Sequence, residues 1–136
     1  MYFYATEKQM KQNNQTNNTR TIEVGKFYLI FDGSRTGHPG YIISKSDINN
    51  WYLAIRTESD KAGKITKRAL KRQHLIDLKH PTDKNVVKSY IRTKPILCKR
   101  NDIGKKELVG MRFHDEDMEL VKIVSKRKPQ KTKSFK

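Results

Sequence analysis

Cysteine is nearly absent from this chain: Cys98 stands alone among 136 residues. One thiol cannot close an internal disulfide and has no neighbours at zinc-ligand spacing, so a disulfide scaffold and a zinc ribbon are both excluded. A reducing, cytoplasmic setting fits that usage. No segment is apolar for long enough to read as a membrane span, and no stretch reads as a secretory signal. Acidic residues are also scarce, 14 against 30 Lys and Arg, which leaves a formal net charge of +16. A field of that size says little about fold. It favours polyanionic partners, and without a membrane-spanning segment the polyanion of choice is a nucleic acid.

Apolar residues are sparse at both ends. Residues 1–21 carry a run of Asn, Gln and Thr, with an aromatic exception in Met1 to Tyr4. Such a run buries too little surface to offset its ordering entropy, so it is expected to be a disordered polar tail. Residues 127–136 continue a Lys- and Arg-rich run with no acid and no periodicity. They are expected to form a basic disordered tail, either solubilising or in non-specific contact with phosphates. Residues 22–126 remain as one folded domain.

Within that domain the pattern is of short strands followed by a helix. Strands are expected over 26–32, 40–45 and 51–57, with Asp47 to Asn50 as a turn between the last two. A shorter strand is expected over 75–78. An extended stretch from Val86 to Cys98 contains Pro95, which bends it or puts part of it on an edge. Strands at this spacing suggest a small, strongly curved antiparallel barrel, mainly β in class. A helix is expected from Asp115 to Lys126. Acids fill its first turn and bases its last, the order the helix dipole favours. Met118, Leu120, Val121, Ile123 and Val124 form its apolar face, with Leu120, Val121 and Val124 expected to pack on the sheet. The same acids explain themselves as helix-start residues, so no metal site is expected.

The most informative stretch is Gly33-Ser34-Arg35-Thr36-Gly37-His38-Pro39-Gly40, a polar, Gly-rich loop that runs into Tyr41-Ile42-Ile43-Ser44. Its glycines are expected to allow tight turning and close approach to a ligand, with a phosphate among the backbone N–H groups and Arg35 and His38 nearby. Farther on, the segment from Lys61 to His74 carries six basic residues and no acid. It reads as a flexible arm or a short helix with a basic side, an electrostatic funnel for a nucleic-acid backbone. Ser34, Arg56, Lys61, Lys64, Lys67, Arg68, Lys71 and Arg72 are the expected RNA contacts. Trp51 reads as a half-buried strand residue. His74, His80 and His114 are far apart in sequence and show no ligand spacing.

The pattern Gly33-x-x-x-Gly37-His38-Pro39 before an apolar strand, then Tyr52-Leu53-Ala54-Ile55-Arg56-Thr57, resembles the MazF/PemK toxins. The later stretches Ser89 to Arg92 and Lys99 to Gly104, and the C-terminal helix, are similar to that family's second half. The resemblance covers about residues 26–125 and lies in the order of elements more than in identity. It implies an SH3-like barrel, a homodimer, and metal-independent cleavage of single-stranded RNA with no cofactor. It also implies the toxin of a bacterial toxin–antitoxin pair with an acidic antitoxin protein as partner. In that family an Arg precedes the Pro. Here the position is His38, while the family's strand-end Thr is matched by Thr57. The expected catalytic set is therefore His38 as acid or base, Arg35 (or Arg56) as fixed charge, and Thr57 as a positioning hydroxyl. Two other readings stand beside it. One is a non-catalytic nucleic-acid-binding barrel of a mobile element, to which the missing Arg points. The other is a ribosome- or protein-binding adaptor using the basic tails.

Overall fold

The computed structural model describes residues 21–31, 36–46 and 50–131. The polar N-terminal tail therefore lies outside the described residues up to position 20, as do Asp32 to Arg35, Asp47 to Asn49 and residues 132–136. The rest is mainly β, as expected. In chain order come β1 (Phe27–Ile30), β2 (His38–Lys45), β3 (Trp51–Asp60), α1 (Lys67–Arg72), β4 (Leu75–Asp77), β5 (Lys88–Arg92), β6 (Ile96–Lys99), β7 (Ile103–Glu107), α2 (Met118–Ser125) and β8 (Gln130–Lys131). The strands run in the order β4-β5-β3-β2-β1-β7, with β6 also paired to β3 and β8 paired to β6.

The long strand β3 organises the sheet. One edge pairs with β2, from Gly40↔Arg56 to Lys45↔Tyr52, with a register shift after Ile42. The other edge is shared. β6 takes the first half, from Trp51↔Lys99 to Ala54↔Ile96, and β5 the second, from Thr57↔Ile91 to Asp60↔Lys88. More chain separates Ile91 from Ile96 than separates Thr57 from Ala54, so residues 93–95 bulge out and turn the corner. Pro95 sits there because it has no N–H to give a ladder. The expected extended stretch from Val86 to Cys98 is thus two strands broken at Pro95. All pairings are antiparallel except β6 with β8. The two ends of the strand path, β4 and β7, do not meet among the described residues, so the sheet is open.

Both faces of this sheet are covered, which explains the unbroken apolar run Tyr52 to Ile55. On one face Ile22, Tyr28, Ile30, Ile42, Tyr52, Ala54, Ile96, Cys98 and Ile103 form a core. On the other, Phe27, Ile55, Leu78, Ile91 and Phe113 pack with Val121 and Val124 of α2. Alternate residues of β3 serve alternate cores, as the two-residue period of a strand requires. Phe27, Tyr41 and Phe113 add a cluster of three rings with centroids 4.9 to 5.2 Å apart.

Several elements differ from expectation. The helix expected over 115–126 is a 3-10 turn at Asp115–Asp117 leading into α2 at Met118–Ser125. Val121 and Val124 are buried and Leu120 packs beside them, but Ile123 is 47% exposed. At 100° per residue Ile123 falls off the stripe that Val121 and Val124 define. β7, which was not expected as a strand, pairs with β1 through Tyr28↔Glu107 and Ile30↔Ile103. Its Lys105 and Lys106 are both exposed and obscure the alternation. Residues 127–131, expected as basic tail, run back along the sheet: Arg127 Nη1 donates to the Thr93 carbonyl at 2.9 Å, and Gln130 N to that of Pro95 at 2.9 Å. The segment from Lys61 to His74 contains α1, one of the two forms expected for it.

Candidate functional site

The register of β2 on β3 builds the site. Gly40 stands opposite Arg56, so Pro39 falls beside Thr57 and His38 beside Glu58. Strand two begins at His38, two residues before its expected start, and His38 is a strand residue with a fixed direction. Along this face the sheet changes from Ile42 and Ala54 in the core, through Gly40 and Arg56, to His38 and Glu58 at the rim. Burial follows the same gradient: the Arg56 side chain is 11% exposed, Glu58 25% and His38 30%.

Glu58 joins the two bases. Its Oε2 lies 3.7 Å from His38 Nδ1 and 3.9 Å from Arg56 Nη2. These are ion-pair distances, longer than a direct hydrogen bond. The carboxylate thus sits between the imidazole and the guanidinium, facing the Nδ1 side of the ring. His38 Nε2 is then the nitrogen left for an external proton. Thr57 is 1% exposed and donates its hydroxyl hydrogen to the Pro39 carbonyl at 3.1 Å. This bond ties β3 to the backbone next to His38.

Two glycines act differently from expectation. Gly37 and Gly40 have no positive φ, so neither is a turn glycine. A Cβ on Gly40 would come within 2.6 Å of Ile30 Cγ1, and one on Gly37 within 2.9 Å of the Phe31 ring. They are glycines because side chains of β1 and of Phe31 just after it occupy the space above them. Ser34, Arg35 and Gly33 lie outside the described residues.

No family model, curated protein or solved structure matches this chain.

The remaining expected contacts form a basic flank on the β4–β5–β3 side. Lys61 and Lys64 are exposed in the turn that follows β3. Asp60 shapes that turn: Oδ1 accepts from Ala62 N at 3.3 Å and Lys64 N at 2.9 Å, and Oδ2 from Ile65 N at 2.9 Å. The Ile65 N–H, helped by those of Lys64 and Ala62, holds this carboxyl below the ordinary aspartate range against the opposing effect of burial. Thr66 then caps α1 by accepting from Ala69 N at 3.1 Å. Lys67, Arg68, Lys71 and Arg72 are all exposed on α1. Two residues beyond the helix, His74 stands at φ 56°. Next to it a cavity of about 150 Å³ is lined by His74, Arg92, Thr93, Lys94 and Gln130. Trp51 is half-buried, with Lys99 Nζ 5.6 Å from its ring centroid. Glu58 and Asp60, which shape the site and its flank, were not among the expected residues. The signal for Glu58 was its two-residue spacing from Arg56, which puts both on one face of a strand.

Proposed function

We propose that this chain is a MazF/PemK-like, metal-independent endoribonuclease acting on single-stranded RNA. The observation that carries this reading is the His38–Glu58–Arg56 cluster at the rim of β2 and β3. It supplies the two things that RNA transesterification asks of a protein: a base for the 2′-hydroxyl and fixed positive charge for the phosphate. His38 takes the 2′-hydroxyl proton while the 2′-oxygen bonds to phosphorus. Glu58 stabilises the imidazolium that forms. Arg56, with Arg35 from the preceding loop, offsets charge on the non-bridging oxygens. The bond from phosphorus to the 5′-oxygen breaks, that oxygen takes a proton from water, the hydroxide so formed takes the proton that His38 holds, and a cyclic phosphate, a 5′-hydroxyl and neutral His38 remain.

The curled open sheet, with β3 shared between β2, β5 and β6, supports the SH3-like barrel reading. The basic flank from Lys61 to Arg72 supports a polyanionic substrate. A homodimer and an acidic antitoxin protein belong to the same proposal, the latter because a surface of this charge suits an acidic partner as well as RNA.

The test is incubation of purified protein with end-labelled single-stranded RNA in EDTA. Cleavage leaving cyclic phosphate ends is expected. RNA with a 2′-deoxy residue at the cut site should resist. His38→Ala should lower the rate by roughly 10²–10⁴-fold, the usual scale for one acid–base group. If the wild type cuts no RNA of any sequence, the non-catalytic nucleic-acid-binding reading replaces this one.

A further inference from the structure

Three side chains outside the β2–β3 site converge where the β4–β5 connection meets the start of α2. They are His80, His114 and Glu116, and one ligand atom from each lies within 4.8 Å of the others. His80 Nε2 is 2.9 Å from Glu116 Oε1. The imidazole rings of His80 and His114 stack at 3.6 Å between centroids, 20° from parallel. Chain separations of 34 and 36 residues hid the cluster from sequence reading.

We propose that His80, His114 and Glu116 form a binding site for a divalent transition metal of the zinc class. Two imidazoles and a carboxylate are a common donor set for such an ion, and they leave a coordination position for water. Zinc takes nitrogen and oxygen donors at about 2.0–2.2 Å, so two donors on a tetrahedral ion stand about 3.4 Å apart. The observed separations, all within 4.8 Å, need adjustments of up to about 1.4 Å and a tilt of the stacked rings toward a shared ion. The side chains can make them, because His80 is 37% and Glu116 61% exposed.

The backbone beneath the donors is already held. Asp117 is buried, and its two carboxylate oxygens accept from Lys79 N at 2.7 Å and His80 N at 3.1 Å. This fixes the segment carrying His80 against the segment carrying His114 and Glu116, the outer support that metal sites need. Glu116 Oε1 already meets His80 Nε2 at hydrogen-bond distance, and a shared ion would take the place of that one proton. His114 Nδ1 accepts from Glu116 N at 3.1 Å. Metal binding by either nitrogen of His114 gives up that one bond: directly if Nδ1 ligates, or by moving the proton to Nδ1 if Nε2 does. The N–H released is on an exposed residue where water replaces it. His114 also lines an open groove with Pro81, Thr82, Asp83, Lys84 and Arg112, which gives the metal a path from solvent.

The experiment uses the full chain after EDTA stripping and dialysis. Zn²⁺ is titrated by calorimetry, and Co²⁺ by its visible d–d absorption. One ion per chain is expected, with a rise in Tm on Zn²⁺ addition. His80→Ala and His114→Ala should each weaken binding at least tenfold, the scale of a lost metal ligand or its support. Glu116→Gln, which keeps the shape of the side chain, should weaken it and alter the Co²⁺ spectrum. His74→Ala should bind as the wild type does. Circular dichroism shows whether each variant is folded, and Glu116→Gln provides the measurement if a histidine variant is not. Failure to take up Zn²⁺ or Co²⁺ in a saturable way overturns the proposal. So does uptake that survives the His80→Ala, His114→Ala double change.

Discussion

Thr57 gives its hydroxyl hydrogen to the Pro39 carbonyl at 3.1 Å, and so β3 holds the backbone next to His38. The hydroxyl is buried and already used. Thr57→Ser keeps the bond and should cleave RNA like the wild type. Thr57→Val keeps the shape but leaves the Pro39 oxygen without this donor, at a cost of about 1–3 kcal/mol. Tm and the cleavage rate should fall together. A Val variant of full stability and no activity would instead mean that the hydroxyl meets the substrate.

Glu58 touches both bases of the site, 3.7 Å from His38 and 3.9 Å from Arg56. If it stabilises the imidazolium formed during proton transfer, the loss appears in the transition state and not in substrate binding. Glu58→Gln should therefore lower kcat by about tenfold or more, each tenfold being about 1.4 kcal/mol, with KM little changed. A raised KM at constant kcat would assign Glu58 to binding only.

The contact between Gly40 and Ile30 is a packing constraint that a double-mutant cycle can measure. The 2.6 Å approach to Ile30 Cγ1 means that Gly40→Ala must push the isoleucine or the strand, at about 1–3 kcal/mol. Ile30→Ala alone should cost about 2–5 kcal/mol, because Ile30 is fully buried. In the double variant the new methyl enters the space the isoleucine left. Denaturant unfolding should show a double cost below the sum of the single costs. Strict additivity would mean that the two residues do not compete for that space.

The strands and the C-terminal helix were legible because their signals are local. Aromatic and β-branched runs mark β1 to β3, and the acid-to-base order marks α2. β7 was hidden by Lys105 and Lys106, whose exposure breaks the apolar alternation. The start of the basic tail was placed too early because the pairing of Gln130 and Lys131 with β6 depends on a distant strand and not on composition. His38, Arg56 and Thr57 were singled out in sequence by their place in a motif, and the register of β2 on β3 brings them side by side. Glu58 was not singled out, because its partnership with His38 exists only through that register. The glycines of the loop show the same limit: Gly40 looks like a turn residue in sequence and is a packing residue beneath Ile30.

Asp60 gives the fold an acid-sensitive corner. Hydrogen bonds from Ile65, Lys64 and Ala62 favour its charged form and lower its folded pKa below the unfolded value. Its contribution is therefore fully present above the unfolded value, about pH 4, and is lost as pH falls through the lower folded one. Amide exchange at Ala62, Lys64 and Ile65 should accelerate in acid, after correction for the intrinsic rate, before the β3 core opens. Asp60→Asn should lower Tm at neutral pH and flatten the dependence of Tm on pH in the acid range. Unchanged protection in that variant would remove Asp60 as the organiser of the turn.

The basic flank should be visible in the salt dependence of RNA binding. Lys67, Arg68, Lys71 and Arg72 are all exposed on α1, and the helix holds no acid to neutralise them. Each that neutralises a phosphate releases a counterion, worth a slope of about 0.7 in log affinity against log salt for a single strand. Reversing all four charges should weaken binding strongly at low salt and flatten the slope by as much as about 3 units. If the flank and not the rim cluster supplies most of the affinity, His38→Ala should leave that slope unchanged. The two sets of variants thus separate binding from cleavage. A slope unaffected by the four reversals would place the RNA backbone elsewhere on the surface, and a slope near zero in the wild type would remove polyanion binding altogether.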